Sequence, residues 1–158
     1  TWVSLSQGAT SGLRYDPDHG SDVKLSCTSS GVVWLSTLPE DDAIALVSRQ
    51  GLAKPSQYGP NAPASIEALM KRVRLARKQG IAFSVETYAP GLNAMSTPIL
   101  PGPSAKANGA VGVLAMSGPS VRLTEAKMQQ WAPALKNAAA DIARASAASP
   151  LLQRAYGR

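Results

Sequence analysis

The spacing of apolar residues divides the chain into helical and extended stretches. In "SIEALMKRVRLARKQG", Ile66, Leu69, Met70, Val73 and Ala76 recur at three- and four-residue intervals, and Gly80 ends the run. That spacing is one face of an α-helix. "LTEAKMQQWAPALKNAAADIARAS" repeats it with Met128, Ala132, Leu135, Ala139 and Ile142. Thr124 is the predicted N-cap, and Pro133 should kink or loosen the helix. "LPEDDAIALVSRQG" has Pro39 in the first turn, three acids next to it and Gly51 past the end, which suits the two poles of a helix. "VKLSCTSSGVVWLSTL" reads as a strand end, a polar turn and a short helix from Gly31 to Leu35. Residues 52–64, with Pro55, Gly59, Pro60 and Pro63, read as a loop.

The extended stretches are shorter. "IAFSVE", Asn93 to Ile99 and Ala110 to Ser117 read as three strands, with "PGPSAKANG" as a hairpin loop between the last two. Trp2, Val3, Leu5, Leu13 and Tyr15 alternate loosely among Gly8, Gly12, Pro17 and Gly20, which predicts a further hairpin and a loop at "DPDHG". The result is an α+β fold with a mostly antiparallel sheet and helices packed on it. The domain is expected over residues 1–148, with 149–158 as a fraying tail.

At 158 residues the chain has room for one core. It begins at Thr1 and reads as a piece of a longer protein. The longest apolar stretch, within Ala110 to Met116, is too short to span a bilayer. The lone cysteine excludes an internal disulfide and fits a reducing, cytoplasmic setting. A net charge of +6 with 16 Lys plus Arg allows anionic partners, but only eight aromatic residues are present and basic-aromatic interleaving is missing. The basic residues Lys71, Arg72, Arg74, Arg77 and Lys78 are either a solvated helix face or a track for phosphates.

Candidate chemistry is sparse. Cys27 has one possible base, His19 in the preceding loop, which sets up a small cysteine-dependent enzyme as one alternative. A packing or pocket-wall role for Cys27 is the simpler alternative. Asp16, Asp18 and His19 are turn formers rather than a metal set, neither phosphate-binding glycine motif is present, and no metal or cofactor is expected. Thr28, Ser29, Ser30 and Gly31 stand at the entrance to the short helix. They are either simple caps or a cradle in which the amides of Ser29 and Ser30 take a carboxylate.

Several stretches in order resemble the effector-binding domain of IclR-family bacterial transcriptional regulators. They are "LSCTSSGVVWLSTLPED", "SIEALMKRVRLARKQGIAFSVETYAPGL" and "AMSTPILPG…GAVGVLAMSGPSVRLTEAKMQQWAPALKNAAADIARA". The resemblance runs over roughly residues 24–146. It implies a GAF-like curved sheet flanked by helices and no enzymatic activity. It also implies a small organic acid effector, assembly as a homodimer or homotetramer, and operator DNA contacted only through an N-terminal winged helix-turn-helix domain absent from this chain. An oligomerisation domain without a ligand is the remaining alternative.

Carried over position by position, the resemblance puts Ser29 and Ser30 where backbone amides hold an effector carboxylate. Ser84 stands where some members have a pocket Asp, Leu92 at an apolar wall, and Ala94 in place of a Cys. Ala115 and Ser117 stand where two serines are used. Cys27, Met95, Met116 and Trp34 are further expected wall residues, and Thr28 is a further expected effector-binding residue. Gly91, Gly118 and Pro119 match as structural positions. Val32 replaces the usual Lys or Arg and Ser26 the usual His. With Ser84, Ala94 and Ala115, these departures strip the expected polar ring of hydrogen-bonding groups, each worth about 1–3 kcal/mol to a small polar ligand. A larger, more apolar effector is expected, such as an aromatic carboxylate.

Overall fold

The structure is a computed structural model that describes residues 6, 24–101 and 109–147. The expected hairpin near the N-terminus, His19 and the "DPDHG" loop lie outside these, as do most of "PGPSAKANG" and the C-terminal tail. The elements run α1 (Ser29–Ser36), α2 (Glu40–Gln50), α3 (Ile66–Gln79), β1 (Ala82–Val85), β2 (Leu92–Ile99), β3 (Gly112–Pro119) and α4 (Glu125–Ala147). The three strands form an antiparallel sheet in the order β1-β2-β3. The α+β architecture is the expected one.

Strand alternation sorts the core into two layers. Ala82 and Val113 point to one face, against Val33 and Leu35 of α1, Val47 of α2, and Leu69, Met70 and Val73 of α3. Phe83, Val85, Met95 and Leu114 point to the other, against Met128, Ala132 and Leu135 of α4. The α1 helix crosses all three strands on the first face. The apolar stripe of α3 is buried as its periodicity predicts. That of α4 is buried too, except that Ile142 is 38% exposed.

Helix ends follow local chemistry. Ser65 caps α3 through its hydroxyl on the Ala68 amide, and Gly80 closes it in the left-handed conformation at φ 67°. Thr124 accepts from the Lys127 amide at 3.3 Å, as predicted for α4. That helix stays continuous through Pro133, which lies on its exposed side, so the Gln129 carbonyl left without a donor is near solvent. Pro39 precedes α2 rather than entering its first turn.

Two expectations change near α1. Leu25, Ser26 and Cys27 form a turn, not a strand end, and α1 starts two residues earlier than expected, at Ser29. The turn doubles the chain back so tightly that a Cβ on Gly31 would lie 2.3 Å from the Leu25 carbonyl oxygen. Helix propensity alone would favour alanine there by about 1 kcal/mol. Backbone overlap costs about 1–3 kcal/mol or more and wins. Gly31→Ala is therefore expected to lower stability by about 1–3 kcal/mol in urea unfolding, against the sign that propensity gives.

Candidate effector site

The first turn of α1 brings backbone amides and three hydroxyls together on the α1 face of the sheet. Thr28 is its N-cap: the hydroxyl accepts from the Gly31 amide at 3.0 Å and donates to the Lys24 carbonyl at 3.0 Å. Among the described residues the amides of Ser29 and Ser30 meet no acceptor, as expected for the first positions of a helix. Beneath them sits Ser96 of β2, fully buried, its Oγ 2.7 Å from Ser29 Oγ and 3.1 Å from Ser30 Oγ. Three hydroxyls carry three protons, and these two contacts use two. One O–H donor is left over beside two unpaired amides, where the helix dipole also favours negative charge.

Register places the other predicted residues around this point. Ser96 lies between Ala82 and Ala115, and the next row on the same face is Ser84, Ala94 and Ser117. Leu92 follows, paired with Pro119. Ser29, Ser30, Ser84, Leu92, Ala94, Ala115 and Ser117 thus share one side of the sheet. Ser84 is buried and Ala94 half-buried, while Ala115 and Ser117 are exposed, so the shelf opens toward the β3 edge. Ser96 is absent from the residues that the family pattern picks out, although β2's alternation from Ala94 puts it on the same face.

Ser84 is less available than its position suggests. Thr87 Oγ1 donates to the Cys27 carbonyl at 2.5 Å, which commits its only proton, so Ser84 Oγ must donate to Thr87 Oγ1. At this position, where the resemblance implies a pocket Asp in some members, Ser84 offers a ligand only lone pairs. The turn that brings Thr87 into place puts Glu86 at φ 49°, a conformation uncommon for residues other than glycine. Asn93 Oδ1 and the Leu92 carbonyl both accept from the Glu86 amide and hold it.

Five expected pocket residues are not part of this shelf. Met95 points to the opposite face, fully buried against α4, because it alternates with Ala94 and Ser96. Its partner Met116 shares that face. Trp34 is on the exposed side of α1. The Cys27 side chain packs with Ala53, Ala62, Tyr58 and Tyr88 beneath residues 52–64, and only its carbonyl reaches toward Ser84 through Thr87. Thr28 acts as a cap. Val32 and Ser26, which depart from the family pattern, serve the packing of the domain. Val32 is buried among the α2 and α3 contacts, where a Lys or Arg head group would lose its hydration. Ser26 is buried and accepts from the Ala53 amide at 2.9 Å, pinning the loop.

Four of the five basic residues of α3 are engaged within the domain. Arg77 donates to the carbonyls of Ser36 and Leu38, Arg74 pairs with Glu40, and Lys71 with Glu67. Arg72 donates to the Asn61 carbonyl. Two surface clefts, of about 460 and 530 Å³, hold none of the predicted site residues.

Comparison with known proteins gives this arrangement its family. Residues 6–144 match the family described as bacterial transcriptional regulator IclR C-terminal. The chain belongs to that family. Its members are transcriptional regulators, not enzymes. The HTH-type transcriptional repressor AllR of Salmonella typhimurium is 28% identical over 131 residues, 83% of this chain and 46% of the repressor. AllR of Escherichia coli K12 is 27% identical over 126 residues, covering 80% and 44%. The chain thus spans less than half the length of these relatives. Among solved structures, the Thermotoga maritima IclR superposes with a TM-score of 0.71 at 24% identity, covering 87% of this chain and 53% of that one. A double mutant of the PobR inducer-binding domain from Acinetobacter, complexed with 3-hydroxybenzoic acid, gives 0.66 at 21% identity, covering 75% and 65%. The IclR-type fold is shared with both. No helix among the described residues is long and apolar enough to cross a membrane.

Burial pushes the Cys27 thiol up to about 11, against a smaller opposing pull from Lys24. A thiol that stays protonated near neutrality is a poor nucleophile. The sign for stability follows from the raised folded value: the contribution is intact below the unfolded value near 9.0 and is lost as pH rises through about 11. Native-state alkylation of Cys27 is expected to stay slow at pH 8 and to rise only well above pH 9. Rapid labelling at pH 7 would contradict this burial. Thr87→Val, which strands the Cys27 carbonyl and takes away Ser84's acceptor, is expected to cost about 1–3 kcal/mol in thermal or urea unfolding.

Proposed function

We propose that this domain is the sensor of a transcriptional regulator and binds a small, partly apolar organic carboxylate on the shelf at the start of α1. The observation that carries the reading is the spare donor capacity there: two amides and one hydroxyl proton over a floor of Ala94, Ala115 and Leu92. The carboxylate lies across the amides of Ser29 and Ser30, and Ser96, through the hydroxyl cluster, tunes how many donors face it. The ring or alkyl part of the ligand covers Ala94 and Ala115.

The floor also argues for the class of ligand. Ala94 and Ala115 provide no hydrogen bonds, and Ser84's proton is already used. The additional polar atoms of a two- or three-carbon oxo-acid would go unpaired at about 1–3 kcal/mol each, whereas an aromatic carboxylate needs only its carboxyl end satisfied. That the PobR domain carries 3-hydroxybenzoic acid supports an aromatic acid as a ligand class for this fold.

In the full-length protein, assembled as a homodimer or homotetramer, the effector shifts the balance between arrangements that present an N-terminal DNA-binding domain to its operator. It can do so only by the difference in its affinity for those arrangements. The reading places the protein in the cytoplasm, with its DNA contacts made outside this chain.

Titration calorimetry with benzoate, 3-hydroxybenzoate and glyoxylate is the test. The aromatic acids are expected to bind more tightly, and tighter glyoxylate binding would defeat the choice of class. Ser96→Ala, which removes the anchor that holds both serine hydroxyls over the sheet, should weaken the aromatic acid by about tenfold through lost preorganisation. A screen of organic acids in which none raises the melting temperature would instead favour an oligomerisation domain without a ligand.

A further inference from the structure

The Thr87 hydroxyl, which neither the sequence pattern nor the resemblance singles out, sets the hydrogen-bonding character of one end of the shelf. Thr87 is 2% exposed, and its backbone is fixed by the Gly59 amide, which donates to its carbonyl at 3.3 Å. Its only proton goes to the Cys27 carbonyl at 2.5 Å, and among the described residues no other donor reaches that carbonyl. Turning the proton elsewhere would strand a backbone acceptor away from water. Ser84 Oγ therefore gives its own proton to Thr87 and keeps both lone pairs. Nothing among the described residues donates to them, and at 4% exposure Ser84 has little access to water. Its neighbours on the same face, Ala94 half-buried and Ser117 exposed, leave the shelf open beside it. A buried acceptor without a donor thus borders the floor on which a ring would rest.

We infer that Thr87 is a positioning residue and that, through Ser84, it selects an aromatic carboxylate whose ring carries an O–H or N–H donor. The inference rests on the proposal that the carboxylate lies across the amides of Ser29 and Ser30. Those residues stand over Ser96, and Ser84 is its diagonal neighbour on β1, about 7–8 Å away. A benzene ring can bridge that distance with its carboxylate at one end and a substituent at the other. A donor there completes a chain in which each group gives one proton: ring substituent to Ser84, Ser84 to Thr87, Thr87 to the Cys27 carbonyl. A carbonyl or ether oxygen in the same place would set lone pairs against lone pairs, with no proton free to turn between them. Discrimination of this kind comes from the group left unpaired in the wrong complex. Ser117 cannot supply it, because an exposed hydroxyl can donate, accept or turn to water.

The test is calorimetry on the whole chain with hydroxy-, amino- and formylbenzoates substituted at ring position 3 or 4. At one of these positions the two donors are expected to bind about tenfold more tightly than the formyl acid. Thr87→Val keeps the shape of the side chain and releases the Ser84 proton, so it should bring the formyl acid to within about threefold of the donors. A purely structural role would weaken all the acids alike. Thr87→Ser, which restores the hydroxyl, should restore the gap. Ser84→Ala leaves the Thr87–Cys27 bond in place and should close the gap from the other side, by weakening the donors alone. It reads the inference even where Thr87→Val fails to fold. The inference is overturned, with the carboxylate shelf left standing, if the parent binds donors and formyl acids equally at both positions, or if Thr87→Val or Ser84→Ala preserves the gap. If none of these acids binds, the shelf itself is the wrong reading and this inference falls with it.

Discussion

The docking of the first turn of α1 onto the middle strand is the constraint on which the site depends. Two serines of the helix, Ser29 buried and Ser30 half-buried, meet the fully buried Ser96 of β2 in a hydroxyl cluster, which holds the amino end of α1 over the centre of the sheet. Buried hydroxyls left unpaired would each cost about 1–3 kcal/mol, so the helix cannot slide without breaking the cluster. The Leu25 turn enforces the same position from behind, since its carbonyl comes too close to Gly31 for any side chain. A helix end positioned this firmly offers its free amides at a defined place, and that preorganisation reduces the ordering cost of binding.

A second layer of bonds keeps that turn in register with the sheet. Ser26 accepts from Ala53, Gln50 Oε1 accepts from the Leu25 amide, and Thr87 donates to the Cys27 carbonyl. Residues 52–64 close the other side through Gly59 and Asn61, whose amides donate to the carbonyls of Thr87 and Glu86. A Cβ on Gly59 would lie 1.9 Å from the Glu86 carbonyl oxygen, so this closure too needs a glycine. The left-handed backbone of Glu86 is best understood here: it turns Thr87 inward to meet Cys27, and the surrounding bonds stabilise a conformation that would otherwise cost about 1–3 kcal/mol.

Periodicity makes most of the fold legible. The stripes of α3 and α4 and the three short strands follow directly from spacing, because each of these helices buries one face and each strand alternates between the two layers. Spacing says less about α1, whose start is set by the Thr28 cap and by a backbone contact from Leu25. Nor does it show that Ser26 and Val32 answer to the loop and the helical core rather than to a ligand. Met95 is the instructive error: a bulky residue next to Ala94 suggests pocket wall, but a strand sends neighbours to opposite faces. The same rule, applied one residue further, finds Ser96. The hydroxyl bookkeeping that takes away Ser84's proton is a matter of distances, and no spacing of residues along the chain contains it.

β2 joins the shelf beneath α1 to the α4 layer. Ser96 on one face touches the helix end proposed to hold the effector, and Met95, its immediate neighbour, is fully buried against α4 on the other. Close packing leaves little room for one to move without the other, because interiors fill space to about the density of organic crystals. A ligand that rearranged the Ser29–Ser96–Ser30 cluster would therefore be felt at Met95 and so at Met128 and Ala132 of α4. Such a shift acquires regulatory meaning only if the arrangements of α4 before and after it differ in their affinity for the ligand, since coupling is a difference in binding free energy between states. One strand, with a polar side toward the ligand and an apolar side toward the helix, is the shortest physical route by which the two faces of this sheet can share it.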